Sequence, residues 1–201
     1  TDEYDNIKSV VNDYLKEGIA HTLDETRNLS DSGQFEDISL QQGIRQILYP
    51  YEEMEVLNPE WDVILKDIID SLFEQMNDEE YNILNEEFGT YMVSRAYEYR
   101  QLLEYLVFRY FAKSIYDYDF LGKCQMLVTN FFVIRQMDII RWLDNHREYS
   151  FKDRMDVVHI FSRQVEYSED NIENLYEDFI FDDIFKTDSL IAILWIDSEN
   201  I

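Results

Sequence analysis

The chain has 201 residues, of which 46% are hydrophobic and 15% aromatic, so it can form one ordinary domain or two small ones with a sizeable core. Its 17 Lys and Arg against 43 Asp and Glu give a formal net charge of -26. Such a surface repels nucleic-acid phosphates and anionic lipids, which argues against both as partners. The aromatic content argues against disorder, and the 5 Gly and 2 Pro favour long helices over a many-stranded fold.

Cysteine usage and hydropathy indicate the compartment. The single cysteine, Cys124, excludes an internal disulfide framework and a cysteine-held cluster, and it favours the cytoplasm. The sequence shows neither a signal peptide nor an uninterrupted apolar run of transmembrane length. Because the sequence opens at Thr1 directly in a helical pattern, we expect it to be part of a longer protein.

Apolar spacing predicts helices along the whole chain. Two helix starts are marked most clearly: Asn58 as N-cap before Pro59, and a capping box formed by Ser150 and Asp153. The predicted helices are Tyr4–His21, Ser39–Tyr49 ending near Pro50, Asn58–Met76, one capped by Asp78 and ended or kinked at Gly89, Ser94–Tyr116, Phe120–Asp144, Ser150–Tyr167, one opened by Asp170 and Glu173, and Thr187–Leu194. Polar residues 28–34 predict a loop, and residues 116–119 predict a turn.

These elements predict an all-α fold, a multi-helix bundle with two central apolar helices. The segments Leu102–Ala112 and Val128–Leu143 lack a continuous polar stripe, which is typical of helices at the centre of a bundle. A soft boundary near Glu87–Thr90 divides an N-terminal helical portion, residues 1–89, from a C-terminal helical bundle, residues 90–201. One continuous domain is the alternative.

Both apolar helices carry an arginine, Arg109 and Arg135, and an isolated buried charge is costly. One interpretation is a cationic, aromatic-lined pocket that binds a carboxylate of a cofactor-like ligand or of an acidic peptide. The simpler interpretation is a structural ion pair between the two helices. The candidate acidic partners for such a pair are Glu104, Asp117, Asp119 and Asp138.

His159, Arg163 and Glu166 fall at i, i+4 and i+7, which places them on one helix face. The imidazole can transfer protons there if the carboxylate tunes it. A solvated or ion-paired outer face is the simpler interpretation, because the opposite face is apolar. Lys123 stands beside Cys124, and a lysine can lower a thiol pKa, although free cysteines are commonly buried and inert. The three histidines match no metal spacing, so no metal site is predicted.

The segment Glu166–Asp183 is strongly acidic. A solvated surface is its simplest interpretation. The functional alternative is a binding surface for a basic protein, whose lysine-rich patches would be drawn to it by long-range attraction.

Four elements in a fixed order carry a family resemblance. They are residues 104–111 (EYLVFRYF), 116–121 (YDYDFL), 134–143 (IRQMDIIRWL) and 161–171 (FSRQVEYSEDN), with Asn58-Pro-Glu-Trp61 upstream. In this order they resemble the C-terminal half of the flagellin lysine-N-methylase family. The resemblance covers the segment Leu102–Asp183 best.

The resemblance implies that the chain is a helical domain of a bacterial enzyme that methylates lysine side chains of flagellin with S-adenosylmethionine. It also implies an iron–sulfur cluster, held by cysteines of an N-terminal part that would precede Thr1. We therefore expect the chain alone to lack methyltransferase activity. The acidic surface suits a basic, lysine-bearing protein such as flagellin. The alternative function is a non-enzymatic acidic helical module that binds a basic protein.

The resemblance also marks candidate site residues. Tyr167 stands where the family tends to have the histidine of a Glu-His-Ser motif, so any role of that histidine is lost here or taken over by Tyr167. His159 and Tyr167 are the weaker candidates. The candidate ligand or ion-pair cluster comprises Arg109, Arg135, Asp138, Arg163 and Glu166.

Overall fold

The structure, a computed structural model, describes the backbone of residues 39–199 and the side chains of residues 39–111 and 113–194. The predicted helix Tyr4–His21 and the loop 28–34 lie outside the described residues. The described residues belong to one compact unit that begins at Ser39. The boundary predicted near Glu87–Thr90 falls within a helix of this unit, and a division there stays a prediction.

The regular elements of the described residues are helices. The α-helices are α1 (Leu40–Glu52), α2 (Pro59–Ile68), α3 (Asp78–Met92), α4 (Ala96–Tyr110), α5 (Ser114–Asp117), α6 (Phe120–Asp144), α7 (Phe151–Phe161), α8 (Glu169–Phe181) and α9 (Thr187–Glu199). Short stretches of π-helix extend two of them, Ile69–Glu74 after α2 and Ser162–Glu166 after α7. Three single 3₁₀ turns are Val93–Arg95, Phe111–Lys113 and Asp183–Phe185. The predicted all-α multi-helix bundle is confirmed.

Local capping chemistry explains where several helices begin. At α2, the Asn58 side chain accepts a hydrogen bond from the Glu60 backbone N–H at 3.2 Å, and Pro59 occupies the first helical position, as predicted. At α7, Ser150 and Asp153 form the predicted capping box. These caps fix the starts of two helices that line one of the grooves described below.

Two helix starts differ from the prediction. Asn77, rather than Asp78, caps α3, because the Asn77 and Glu80 side chains bond each other's backbone N–H groups. Ser168, rather than Asp170, caps α8, and its hydroxyl accepts a hydrogen bond from the Asn171 N–H at 3.1 Å. In both cases an uncharged side chain immediately before the first helical residue makes the capping bond.

Helix α1 continues through Pro50 to Glu52, although an end was predicted near the proline. Tyr51, in the last turn, is fully buried, and its hydroxyl donates to Asn130 Oδ1 of α6 at 2.7 Å. This buried contact holds the last turn in helical form despite the missing N–H of Pro50. Gly89 likewise lies inside α3, which ends three residues later at Met92.

The single helix predicted over Ser94–Tyr116 is divided into four pieces. Helix α4 is preceded by the 3₁₀ turn Val93–Arg95 and followed by the 3₁₀ turn Phe111–Lys113 and the short α5. A 3₁₀ turn differs from an α-helix by less than one residue per turn, so apolar spacing does not reveal it. The break at Phe111–Lys113 redirects the chain before α6 begins.

Helix α6 is the centre of the bundle. It packs against α1, α2, α4, α7, α8 and α9, and buried side chains lie on all of its sides. Helix α4 buries Leu102, Leu106 and Tyr110 on one side, and Phe108 on the other side is 81% exposed. Of the described helices, none combines the length and apolar character that crossing a bilayer requires.

Candidate functional site

Asp138 lies in the second half of α6 and is fully buried, at 0% exposure. Its carboxylate accepts hydrogen bonds from the Tyr99 hydroxyl, at 2.8 Å, from the Tyr149 hydroxyl and from the Arg154 guanidinium. The Arg154 guanidinium also stacks on the Tyr99 ring at 4.2 Å and faces Glu98, with Nε 3.5 Å from Oε2. Burial raises the pKa of Asp138, and the charge of Arg154 opposes that rise. The contacts of Asp138 are thus with protein groups on α4, α7 and the α6–α7 connection.

Arg135 lies one turn before Asp138 and is also buried. Its Nη2 donates to Oδ1 of Asn85 on α3 at 2.8 Å, and its guanidinium carbon lies 5.8 Å from the centre of the Phe88 ring. These contacts join α6 to α3.

Glu166 ends the π-helical stretch after α7, and its carboxylate is buried among hydroxyl groups. Oε2 accepts from Tyr105 at 2.6 Å and from Ser162 at 2.7 Å, and Oε1 accepts from Tyr110 at 3.2 Å. The Nε of Arg109 lies 3.7 Å from Oε1, and its Nη2 donates to the Glu166 carbonyl at 3.3 Å. The structure therefore brings together two members of the candidate cluster, Arg109 and Glu166, although Glu166 was not among the partners suggested for Arg109.

His159 and Arg163 do not share the environment of Glu166. Both are exposed and line a groove of about 720 Å³ between α2 and α7, together with Arg141 from the end of α6. The π-helical stretch Ser162–Glu166 turns the chain by less per residue than an α-helix, which takes Glu166 off the face predicted from α-helical spacing. The acidic residues of this α2–α7 groove are Glu60, Asp67, Asp144 and Asp156.

Lys123, on the first turn of α6, is buried and held by three groups. Its Nζ lies 2.9 Å from Asp117 Oδ2, 3.5 Å from Asp119 Oδ2 and 4.3 Å from the centre of the Tyr176 ring. This ammonium-binding cluster was missed by sequence reasoning. The available signal was a lysine just inside an apolar helix, after two aspartates in the preceding turn.

The sequence raised the possibility that Lys123 lowers the pKa of the Cys124 thiol, whereas the structure shows a shift in the opposite direction. Burial, and then the negative charge of Asp119, raise the pKa of the Cys124 thiol. Lys123 does not lower it, because its ammonium group is bound by Asp117 and Asp119. Cys124 is therefore in the less reactive thiol form.

A second groove, of about 620 Å³, lies where the start of α6 meets the end of α8 and the start of α9. We call it the α6–α8 groove. Gln125 joins its walls, because its side-chain amide donates to the Phe185 carbonyl at 2.9 Å. The groove is lined by Asp119, Leu121, Gly122, Gln125, Tyr176, Phe179, Ile180, Lys186, Thr187 and Asp188.

The α6–α8 groove combines exposed apolar side chains with a surplus of carboxylates. Leu121 is 53% exposed and Ile180 is 76% exposed. Asp119 and Asp188 are among the lining residues, whereas Lys186 is the single basic one. At α8, burial and then the neighbouring carboxylates of Asp182 and Glu53 raise the pKa of Asp178. These three carboxylates lie outside the groove lining, where the end of α8 approaches the end of α1, and they are close enough to repel one another.

The remaining candidate, Tyr167, is 79% exposed and follows the buried Glu166. Within residues 39–199, there is no group of three or more His, Cys, Asp or Glu placed to hold a metal ion. The candidate residues therefore occupy several places: the Asp138 network, the Arg135 contact with α3, the Arg109–Glu166 pair and the α2–α7 groove.

Comparison with known proteins identifies a family for the chain. No curated protein and no solved structure matches the chain. One family model, described as the FliB lysine N-methylase C-terminal domain, matches residues 1–193. That match spans nearly the whole sequence and agrees with the resemblance noted in the sequence. The chain thus belongs to the family of FliB lysine N-methylase C-terminal domains.

Proposed function

We propose that this domain binds a lysine-bearing protein substrate, flagellin, and so assists its S-adenosylmethionine-dependent methylation by the rest of the enzyme. The family links the chain to lysine methylation. The observation that carries the proposal is the α6–α8 groove, with its apolar lining and surplus of carboxylates. We place this interaction in the cytoplasm, the compartment favoured by the lone unpaired cysteine.

The groove suits both the apolar stem and the charged head of a lysine side chain. A lysine has an apolar stem and a charged head, and it packs its stem on apolar surface while the ammonium stays near polar groups. Leu121 and Ile180 offer apolar surface, and Asp119 and Asp188 offer carboxylates beside it. The net charge of -26 adds long-range attraction for a basic surface.

The Lys123 cluster supports this match, because it uses two residues of the groove to bind an ammonium group. Asp119 and Tyr176 line the groove and also contact Lys123, by a carboxylate at 3.5 Å and a ring at 4.3 Å. Aromatic rings and carboxylates attract ammonium ions by their negative faces and charges. A substrate lysine that enters the groove from solvent therefore also meets a carboxylate and an aromatic ring.

The sequence cannot hold the iron–sulfur cluster implied by the family resemblance, and the Arg109 position does not fit a cofactor carboxylate. An iron–sulfur cluster needs several thiolates, and Cys124 is the only cysteine of the sequence. A cofactor carboxylate at Arg109 would compete with Glu166, which is already in place. We therefore expect no methylated lysine when flagellin is incubated with S-adenosylmethionine and this chain alone. Mass spectrometry of the flagellin checks this, and methyl-lysine in the product would contradict it.

The experiment that tests the proposal is a calorimetric titration of flagellin into the 201-residue chain at low and physiological salt. Asp119→Asn with Asp188→Asn keeps side-chain size and capping ability at Asp119 and removes two charges from the groove. We expect its affinity to fall about tenfold, as loss of two favourable charge contacts implies. The matched control is Asp67→Asn with Asp156→Asn, which removes two charges from the α2–α7 groove. Equal effects of the two variants would reject the groove.

A non-enzymatic module that binds basic proteins in general is the second candidate, since the same carboxylates support it. The two functions differ in selectivity. A substrate-binding domain should bind flagellin at least about tenfold more tightly than it binds an unrelated basic protein such as cytochrome c. Equal affinities at physiological salt would favour the general module, because non-specific attraction between surfaces depends on charge alone.

A further inference from the structure

An exposed apolar surface stands beside the α6–α8 groove, at the connection between α4 and α6. We call residues Ile115–Leu121 the aromatic tip. Contiguous exposed apolar patches on soluble domains mark interaction sites more often than scattered single residues do. Five side chains within these seven positions are more than half exposed: Ile115, Tyr116, Tyr118, Phe120 and Leu121.

The backbone explains why these side chains face outward. Helix α5 is only four residues long, and Tyr118 after it adopts a left-handed conformation with φ 60°. This reversal sends the chain into α6 within two residues, which leaves little of the tip covered. The Phe120 ring packs edge-on against Phe111 at 4.9 Å and fixes the base of the tip. This contact anchors the tip to the 3₁₀ turn that follows α4.

Charge limits the kind of partner that the tip can accept. Aromatic and acidic residues alternate from Tyr116 to Phe120. Asp117 and Asp119 are both about 45% exposed, and the single ammonium group of Lys123 balances only one of the two charges. An acidic or nucleic-acid partner is repelled by the remaining charge. A partner with apolar and basic side chains side by side is complementary to it.

We infer that the aromatic tip and the α6–α8 groove form one docking surface for a basic, amphipathic segment of the protein partner. Asp119 and Leu121 belong to both, which makes the surface continuous. The apolar side of the segment packs on the rings, and its lysines lie over Tyr116 and Tyr118 by cation–π contact. This inference rests on the proposed function of the groove and adds the form of the segment and the rings that recognise it.

The test uses a synthetic amphipathic peptide with a leucine stripe flanked by lysines, titrated by fluorescence anisotropy into the full chain. The test variant is Tyr116→Ser with Tyr118→Ser. Both residues are more than 85% exposed, so their loss leaves the core intact. The matched control is Tyr97→Ser with Phe151→Ser, two exposed aromatics on the N-terminal turns of α4 and α7. A glutamate-for-lysine version of the peptide controls for charge.

We expect the tip variant to bind the lysine peptide about tenfold more weakly, and the control variant to stay within twofold of the parent chain. The glutamate peptide should not bind the parent chain. Equal affinity of the tip variant and the parent chain would overturn the inference. It would also be overturned if the parent chain bound phosphatidylcholine vesicles and the tip variant did not, since the tip would then contact lipid. Neither result bears on flagellin binding by Asp119 and Asp188, which their own titration decides.

Discussion

Asp138 of α6 and Arg154 of α7 form an ion pair inside the core, with their side chains 0% and 6% exposed. The pair joins the central helix to the helix that follows it. Tyr99 and Tyr149 donate hydroxyl hydrogen bonds to the same carboxylate, so α4 and the α6–α7 connection meet there too. Removal of one partner of a buried ion pair leaves the other charge uncompensated, which is strongly destabilising.

We expect Asp138→Ala to lower the free energy of unfolding by about 3–5 kcal/mol, because it leaves the Arg154 guanidinium buried without its main partner. Combining Asp138→Leu with Arg154→Met should recover much of the loss, since an apolar pair of similar volume needs no charge partner. Urea denaturation of the single and double variants measures both. If the double variant loses as much unfolding free energy as the two single variants together, this expectation is contradicted.

The hydroxyl of Tyr105 donates to Glu166 at 2.6 Å, and burial, then Glu166, raise the pKa of Tyr105 to about 12. Glu166→Gln keeps an acceptor oxygen and removes the charge, so the pKa of Tyr105 should fall toward 10.0. A tyrosine with a raised pKa contributes stability that is complete below its unfolded pKa and lost as the pH rises through its folded pKa. The loss begins near the unfolded pKa of 10.0 in both chains and ends at the folded pKa, so the variant should lose less stability between pH 10 and 12 than the parent chain.

Ultraviolet titration of tyrosinate reports the pKa of Tyr105 directly. Repeating the titration with Tyr105→Phe in both backgrounds isolates the one ring from the other tyrosines. If the difference curve is the same in Glu166→Gln as in the parent chain, the charge of Glu166 does not raise the pKa of Tyr105 and the prediction is wrong.

Lys123 holds the pKa of Asp117 below its ordinary value of 3.8, chiefly through their hydrogen bond. Lys123→Met should raise the pKa of Asp117 toward that value. A lowered carboxyl pKa contributes stability above the unfolded pKa, and this is lost as the pH falls through the folded pKa. The variant should thus lack most of this contribution at neutral pH and lose less stability than the parent chain as the pH falls below about 4. Carboxyl-carbon NMR follows Asp117, with Lys186→Met, in an exposed pair with Asp183, as the control.

The hydroxyl of Tyr51 joins α1 to α6 through Asn130, and its loss leaves that buried amide oxygen without its donor. We expect Tyr51→Phe to lower the free energy of unfolding by about 1–2 kcal/mol. Tyr49→Phe removes a hydroxyl that bonds Glu53 at the surface and should change stability by less than about 0.5 kcal/mol. Thermal denaturation of the two variants compares them. Equal losses of unfolding free energy would show that burial does not determine how much each hydroxyl group contributes to stability.

Sequence patterns predicted the helices whose signals are local. Helix α6 lacks a continuous polar stripe over residues 128–143, and α2 and α7 carry capping residues at their first turns. The breaks around α4 were not predictable, because a single 3₁₀ turn changes the apolar spacing by less than one residue. Phe108 looked like a central residue and is exposed, since the pattern of one helix does not say how many neighbours cover it.

The candidate site depended more on tertiary structure. Arg109 and Glu166 are 57 positions apart and meet through a π-helical turn that no spacing rule anticipates. Arg154 follows Asp153 in a polar passage, so its burial against Asp138 has no local signal. The acidic character of α8 was visible in the sequence. The apolar groove beside it was not, because its lining comes from the starts of α6 and α9 as well.

The left-handed backbone of Tyr118 has a consequence for engineering this domain. A non-glycine residue in that conformation costs about 1 kcal/mol relative to glycine. The turn before α6 is therefore less stable with Tyr118 than it would be with glycine at the same position. Tyr118→Gly should make the domain melt at a higher temperature while it loses an exposed ring. A selection for heat resistance alone would therefore favour molecules that recognise their partner less well.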